Sequence, residues 1–372
     1  MLEALLAARC RRHLAWLDRI PAGRSQLRAL LGLAYRARAT SFGRDHDFRR
    51  VRSAADFRRL VPTRSAAELA RFYGEDGKAW PKRDDPVVTG ETGRPVRLSP
   101  ELIRAHRRAI RTALAVALRA RSRTRLLDGS LLWLGDGSRV LHSGRYTPRE
   151  LVQARFPLTV HHAVLDAADG HVEELARRYA RESLTCLVGP AARLAAFVEQ
   201  ARRVRGEERL SRLWPRLGIV VCLSHAPIGP SSWLPADDRV KVVELVTRPE
   251  APLAVSDDRH GGLRLLVEHG SYFEFVAPGR AGAPHPPRLG LDEVEVGVPY
   301  EVALTSPAGL WAQRTGLSVR FDQLDPPLLT VVGSVRADEP AAPAPRRYSD
   351  GSPAVPPGTP GHSPWSAPAD RG

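Results

Sequence analysis

Lysine and methionine are nearly missing from this chain of 372 residues: the lysines are Lys78, Lys82 and Lys241, and Met1 is the sole methionine. Arginine supplies the rest of the 56 basic side chains, beside abundant alanine, glycine and proline. That usage is expected of a GC-rich bacterial genome, so the net charge of +15 is weak evidence for a polyanionic partner. Acids are interspersed in most segments. The long acid-free stretch, Leu102 to Leu127, reads as a solvated helix face before it reads as a nucleic-acid patch. Long apolar runs are also lacking. Leu217 to Leu223 has the length of a strand, far below the roughly 20 residues that span a bilayer, so no membrane segment is expected. Cysteine is scarce. Cys10, Cys186 and Cys222 form no CxxC and leave an odd thiol, which suits a reducing, cytoplasmic setting. The apolar start, Met1 to Ala8, contains Glu3 and is followed by its arginines rather than preceded by them, unlike a signal peptide. His161, His162 and His171 lack HExxH spacing or an acidic partner, so no metal cofactor is expected. Ser224-His225 lacks a GxSxG elbow and reads as a strand-end loop.

Against these absences stands Val87 to Arg97. A short apolar strand enters a loop of Thr89, Gly90, Glu91, Thr92, Gly93 and Arg94, and a helix start follows with Ser99 as cap and Pro100 at its first position. Strand, glycine-threonine loop and helix is a way to wrap backbone N–H groups around a phosphate. No Gly-Lys-Ser/Thr follows, so this is not a Walker loop, and the string alone is more often an ordinary turn between two strands.

Apolar spacing predicts helices near the N-terminus, over about 102–118, from Gly170 to Glu182 and from Ala191 to about Val204. Thr40 to Phe48 reads as a packed loop, and Ser65 as the cap of a helix through Phe72. Strands are predicted at Leu131–Leu134, Leu184–Val188, Ile219–Leu223 and Val240–Val246. Their alternation with helices argues for a largely parallel α/β sheet. Glu250 follows a strand end, where such sheets bind ligands. From Gly262 the texture becomes short strands, read as hairpins or a small β barrel: Leu263–Val267, Tyr272–Val276, Val294–Val296, Tyr300–Thr305, Leu317–Phe321 and Leu328–Val332. In Phe273-Glu274-Phe275 the aromatics should pack and Glu274 should face the other way. The organisation expected is one domain over 1–336, with a β-rich part from about 262, and a disordered tail over 337–372 whose prolines recur among Ala, Gly and Ser.

Taken in order, these segments resemble the auxin-responsive family of acyl-acid amido synthetases, within the acyl-adenylate-forming superfamily. The resemblance covers about Gln26 to Val335. It rests on Thr40 to Phe48, Asp56-Phe57 through Val61-Pro62, the loop Thr89 to Leu98, Leu213-Trp214-Pro215, Pro249-Glu250 with Leu253-Ala254-Val255, Glu268-His269-Gly270 through Phe275, and Ala308 to Trp311. It implies the layered α/β large domain of an adenylating enzyme. It also implies ATP with Mg²⁺, a small carboxylic acid and an amino acid as reactants, and phosphate or nucleotide contacts at Thr89, Gly90, Glu91, Thr92, Gly93, Arg94, Arg97 and Glu250.

The sequence departs from that family's pattern at sensitive positions. Thr89 takes a serine position, Glu91 replaces a threonine, Val96 the usual lysine and Pro249 the threonine before Glu250. Leu317 follows Gly316 where the ribose-binding aspartate is expected, Ser334 follows Gly333 where the family has arginine, and a proline-rich tail begins where the mobile C-terminal domain would. A carboxylate at Glu91 facing phosphates would cost about 1–4 kcal/mol at roughly 4 Å. Arg94 or Arg97 could replace part of the lost lysine charge. Three readings follow: an amido synthetase of altered loop chemistry, a non-catalytic relative that binds a small acid or a partner protein, and, behind both, an anionic-polymer binder.

Overall fold

The computed structural model describes residues 2–65, 68–69, 85–89, 95–121, 124–135, 139–142, 163–166, 171–225, 239–277 and 286–334. The helices are α1 (Leu2–Leu17), α2 (Ala22–Ala37), α3 (Ser41–Asp45), α4 (Ala54–Leu60), α5 (Pro100–Ala120), α6 (Val172–Tyr179), α7 (Ala191–Arg205) and α8 (Leu210–Leu213). The strands are β1 (Val87–Thr89), β2 (Pro95–Arg97), β3 (Ser130–Trp133), β4 (Arg139–His142), β5 (Ala163–Asp166), β6 (Leu184–Pro190), β7 (Ile219–Ser224), β8 (Lys241–Arg248), β9 (Ala251–Ser256), β10 (Leu263–Leu265), β11 (Tyr272–Val276), β12 (Arg288–Leu289), β13 (Pro299–Ser306), β14 (Leu310–Leu324) and β15 (Pro327–Ser334).

One sheet of 12 strands runs β12-β11-β13-β14-β15-β10-β9-β8-β7-β6-β3-β5, and β2-β1-β4 form a separate sheet of 3. From β5 to β8 every pairing is parallel. From β8 onward every pairing is antiparallel. Of the parallel strands, β3, β6, β7 and β8 are largely buried on both faces, which explains their near-continuous apolar sequence. Cys186 and Val188 of β6, with Ile219, Val221 and Leu223 of β7, pack against α1 and α5. The intervening Leu187, Val220 and Cys222 pack against α6 to α8, around Phe197 stacked on Trp214.

Helix α5 holds the parallel and antiparallel halves together. Its first turn sits in the core of the antiparallel half through Leu102, Ile103 and Ala105. Its later turns, Ala109 to Leu118, sit on the parallel half. The Ser99 hydroxyl accepts the Leu102 N–H at 3.2 Å and donates to the Pro307 carbonyl at 2.7 Å, so one side chain caps the helix and ties it to the β13–β14 turn.

Several expectations change. The segments after Gly262 form hairpins, but they extend the main sheet rather than close a barrel. A tight turn at Pro249-Glu250 folds β9 back on β8, leaving an edge for β10, which β15 then covers. Val294–Val296 makes only an isolated bridge, Val296 to Phe321. The strand expected at Leu317–Phe321 is the middle of the 15-residue β14. The helix expected from Gly170 to Glu182 is the 8-residue α6, because the chain must turn back after Tyr179 to enter β6 at Leu184. Thr40 to Phe48 is not a loop: Thr40 caps α3 by accepting the Gly43 N–H at 3.0 Å. Gly43 is required there, since a Cβ would lie 2.1 Å from the Ala37 carbonyl oxygen. The close approach seats Phe42 against His46, Phe48 and Trp311. Ser65 and Glu68 form a reciprocal capping box, while the helix expected beyond Leu69 and the tail over 337–372 lie outside the described residues.

Candidate functional site

Parallel strands all present their carboxyl ends at one edge of the sheet, and a ligand there meets loops rather than a paired backbone. In this chain that edge carries a cavity of about 20 Å³, lined by Trp133 at the end of β3, Leu223 near the end of β7, Leu245, Thr247 and Arg248 of β8, Pro249, and His106 and Ile110 of α5. Such a volume holds about one water molecule. His106 is clamped in place. Its Nε2 lies 3.3 Å from the Pro249 carbonyl and its Nδ1 lies 3.4 Å from the Thr247 hydroxyl. The helix that spans both halves of the sheet is thereby fixed to the turn carrying Glu250.

That turn has unmet hydrogen-bonding capacity. Oε2 of Glu250 is buried with no hydrogen-bond partner, and so is Nε of Arg248. Arg248 otherwise donates Nη1 to the Thr315 carbonyl at 3.0 Å, linking the turn to β14. A buried carboxylate oxygen without a partner costs about 1–3 kcal/mol or more, which a ligand or cation at that oxygen would recover. Of the residues proposed from sequence, Glu250 lies in the turn after β8 with this oxygen buried and unpartnered. Among the described residues, no group of three His, Cys, Asp or Glu side chains is arranged to hold a metal ion.

The loop residues divide differently. Thr89 pairs with Pro95, and Val87 with Arg97, so the flanking strands form an antiparallel hairpin and α5 begins only after β2. The direct strand-loop-helix arrangement is replaced by strand, loop, strand, helix. Thr89 is buried at the loop's mouth. Arg97 sits opposite Val87, two residue pairs away from that mouth. Thr89 and Arg97 belong to the small sheet, whereas Glu250 lies in the turn between β8 and β9 of the large one. Gly90, Glu91, Thr92, Gly93 and Arg94 lie outside the described residues.

Ser224 donates to Oε1 of Glu244 at 2.9 Å, so its partner is a carboxylate on the neighbouring strand. Glu244 lies within β8 rather than at its end. Burial, with the Glu244 charge second, pushes the Cys222 thiol up to about 12 and leaves it unreactive. His269 is buried against Thr112, and burial together with Arg108 pulls its pKa down to about 3, so it is neutral. Leu317, at the position where the resemblance implies an aspartate, is 1% exposed inside the core of the antiparallel half. Sequence reasoning missed His106, Thr247 and Arg248. The one signal was a histidine four residues before Ile110, on the buried face of an amphipathic helix.

Comparison with known proteins finds a family match in one part of the chain and a fold likeness over most of it. Residues 264–333 match the model of the GH3 family central domain. No curated protein matches by sequence. Among solved structures, AtGH3.15 acyl acid amido synthetase in complex with 2,4-DB superposes with a TM-score of 0.65 at 13% identity, over 88% of this chain and 70% of that one. An open conformation of 2-hydroxyisobutyryl-CoA ligase, in complex with 2-HIB-AMP and CoA, superposes with a TM-score of 0.55 at 14% identity, over 83% of this chain and 74% of that one. At such identity these likenesses establish the fold. With the match over residues 264–333 they support one statement: that segment is similar to the GH3 family central domain, and most of the chain shares the mixed α/β fold of these solved structures.

Proposed function

We propose that the chain is an acyl-acid amido synthetase-like enzyme of altered loop chemistry. A small carboxylic acid attacks the α-phosphorus of ATP, forming a P–O bond as pyrophosphate leaves. The amine of an amino acid then attacks the acyl carbon, forming the amide as AMP leaves. The observation that carries this reading is the unpartnered, buried Glu250 carboxylate oxygen in the turn after β8, next in sequence to the cavity-lining Pro249, in a chain whose residues 264–333 match the GH3 family central domain.

Glu250 is the described residue that suits ATP·Mg²⁺, since a carboxylate oxygen is a hard ligand and this one has no other partner. His106 and Thr247 position the turn that carries it. Thr89 would supply a hydroxyl at the hairpin mouth and Arg97 a charge, and by the resemblance Gly90, Glu91, Thr92, Gly93 and Arg94, outside the described residues, would make the remaining phosphate contacts, with Glu91 the unfavourable charge among them.

The test is acid-dependent exchange of pyrophosphate into ATP, across a panel of carboxylic acids, on wild type and Glu250→Gln. Exchange by wild type that falls at least tenfold in the variant supports the reading. Exchange unaffected by the variant refutes the role of Glu250, and no exchange with any acid refutes the activity.

A second reading has its own observation. Leu317 offers an apolar side chain, buried in the core, where a ribose contact is implied. This favours a non-catalytic relative that binds a small acid or a partner protein. Calorimetry of ATP·Mg²⁺ on wild type and Glu91→Thr separates the two. Binding by the variant alone supports the non-catalytic reading.

A further inference from the structure

Helix α5 has a second working face. His106 and Ile110 turn toward the sheet and the small cavity at its carboxyl edge. Arg104, Arg107, Arg108 and Arg111, spaced i, i+3, i+4 and i+7, form a stripe that lines a groove of about 1,040 Å³ shared with α1. The two helices are antiparallel across it. Glu3 of α1 accepts the Leu127 N–H near the C-terminal end of α5, while His13 Nε2 lies 2.9 Å from the Thr112 hydroxyl further back along α5. That hydroxyl donates to the Arg108 carbonyl at 3.0 Å, so His13 is the donor to it.

The groove is polarised along its length. One end is apolar, lined by Leu114, Ala115 and Leu118 of α5, Leu6 of α1, and Leu126. The other end is cationic, with the arginine stripe of α5 and Arg12 of α1 among its lining, and Arg9 of α1 acting electrostatically on Arg111. From residue 104 to residue 118 the helix rises about 21 Å, at 1.5 Å per residue.

The cations are poorly compensated. Arg104 is paired with Glu101 at 2.8 Å. Among the described residues, no carboxylate forms an ion pair with Arg9, Arg12, Arg107, Arg108 or Arg111, although Glu268 lies close enough to act on Arg108 electrostatically. Nε of Arg111 is buried without a hydrogen-bond partner. Burial first, then the Arg9 and Arg107 charges, pull the Arg111 pKa down, and burial with Arg111 and Arg9 holds His13 down at about 4. Like charges gathered without counter-charge repel one another, and an anion seated among them relieves that repulsion.

We infer that the α1–α5 groove is a binding site for an amphiphilic anion, a single hydrocarbon chain lying along Leu6, Leu114 and Leu118 with a phosphate or carboxylate head on Arg107 and Arg111. A single-stranded nucleic acid fits less well. It needs aromatic platforms for its bases, and Trp16 is the one indole or phenyl ring among the lining residues. The site lies on the opposite face of α5 from the cavity lined by His106 and Ile110 and does not depend on the adenylating reading.

The test is a calorimetric titration of the full chain with dodecyl phosphate below its micelle concentration. Inorganic phosphate, neutral dodecyl maltoside, phosphatidylglycerol vesicles and single-stranded RNA are the comparison ligands. The expected result is saturable one-to-one binding of dodecyl phosphate, at least tenfold tighter than of inorganic phosphate or dodecyl maltoside. Arg107→Ala changes an exposed side chain, so folding is retained, and it should weaken binding at least tenfold with an unchanged melting temperature. Leu6→Gln should weaken dodecyl phosphate but leave inorganic phosphate as it was. Absent or non-saturable binding, equal binding of inorganic phosphate, insensitivity to Arg107→Ala, or binding confined to vesicles or RNA would each overturn the assignment.

Discussion

Glu274 is the centre of a buried charge network whose removal should be among the costliest single changes in this chain. It lies in the middle of β11 with its side chain 1% exposed. Arg288 of the neighbouring β12, itself 3% exposed, donates Nη1 to it at 2.8 Å, and Arg58 of α4 donates Nε at 3.3 Å. Nη2 of Arg288 is held by the carbonyls of Val61 at 2.6 Å and Arg58 at 3.2 Å. Burial alone pushes the Glu274 carboxyl up and the Arg288 guanidinium down, so each charge persists because of the other. Glu274→Gln keeps the shape and removes the charge, leaving Arg288 desolvated and uncompensated. The expected loss is about 3–5 kcal/mol. Glu293 binds the same Arg58 but is 48% exposed, and Glu293→Gln should cost about 1 kcal/mol or less. Urea unfolding at pH 7 of wild type and both variants measures the contrast. The double change Glu274→Leu with Arg288→Met should recover more than half the loss, because it leaves no buried charge. A cost for Glu274→Gln no larger than that for Glu293→Gln would refute the reasoning.

Asp257, 2% exposed, receives Arg264, Arg119 and His260 at the turn after β9. Burial works against its ionisation, but Arg264, His260 and Arg119 outweigh it and hold its pKa at about 2, below the usual 3.8. Since the folded value is the lower one, its stabilisation is complete above about pH 4 and is lost as pH falls toward 2. Asp257→Asn should cost about 2 kcal/mol at pH 7 and much less at pH 2, by unfolding at both values. Gly43→Ala should destabilise by about 3 kcal/mol or more, because the new methyl meets backbone atoms of Ala37 that cannot yield. Gly32→Ala inside α2, where the nearest atom is 3.5 Å away on a flexible arginine, should instead stabilise by up to about 1 kcal/mol; thermal melts of the two variants distinguish them.

Much of this fold is legible locally, and its failures share one cause. The cap at Ser99, the alternation of Phe273, Glu274 and Phe275, and the buried runs of β6 and β7 are written in neighbouring residues, and the structure has them. Alternation rightly turns Glu274 away from its aromatic neighbours. It could not indicate that α4 and β12 cover that second face with two arginines. The barrel expectation failed because which strand covers the free edge of β9 is decided by partners far away in sequence. At the candidate site, Glu250 is proposed because it follows a strand end. His106 was passed over because a histidine within an apolar stripe looks like core until the turn it clamps is known.

The placement of β15 also governs the order in which this sheet can be assembled. It pairs with β14 on one side and β10 on the other, though β10 is made long before it on the ribosome. Until β15 emerges, both neighbours present open edges, the kind of surface on which unfinished chains pair with one another. The parallel strands β3 and β5 to β8 face no such delay, since all of them, and α5 beneath them, precede β9. A chain whose synthesis stalls between β14 and β15 therefore holds a nearly finished parallel half beside two adhesive strands, and chaperone capture during translation should concentrate at that stage.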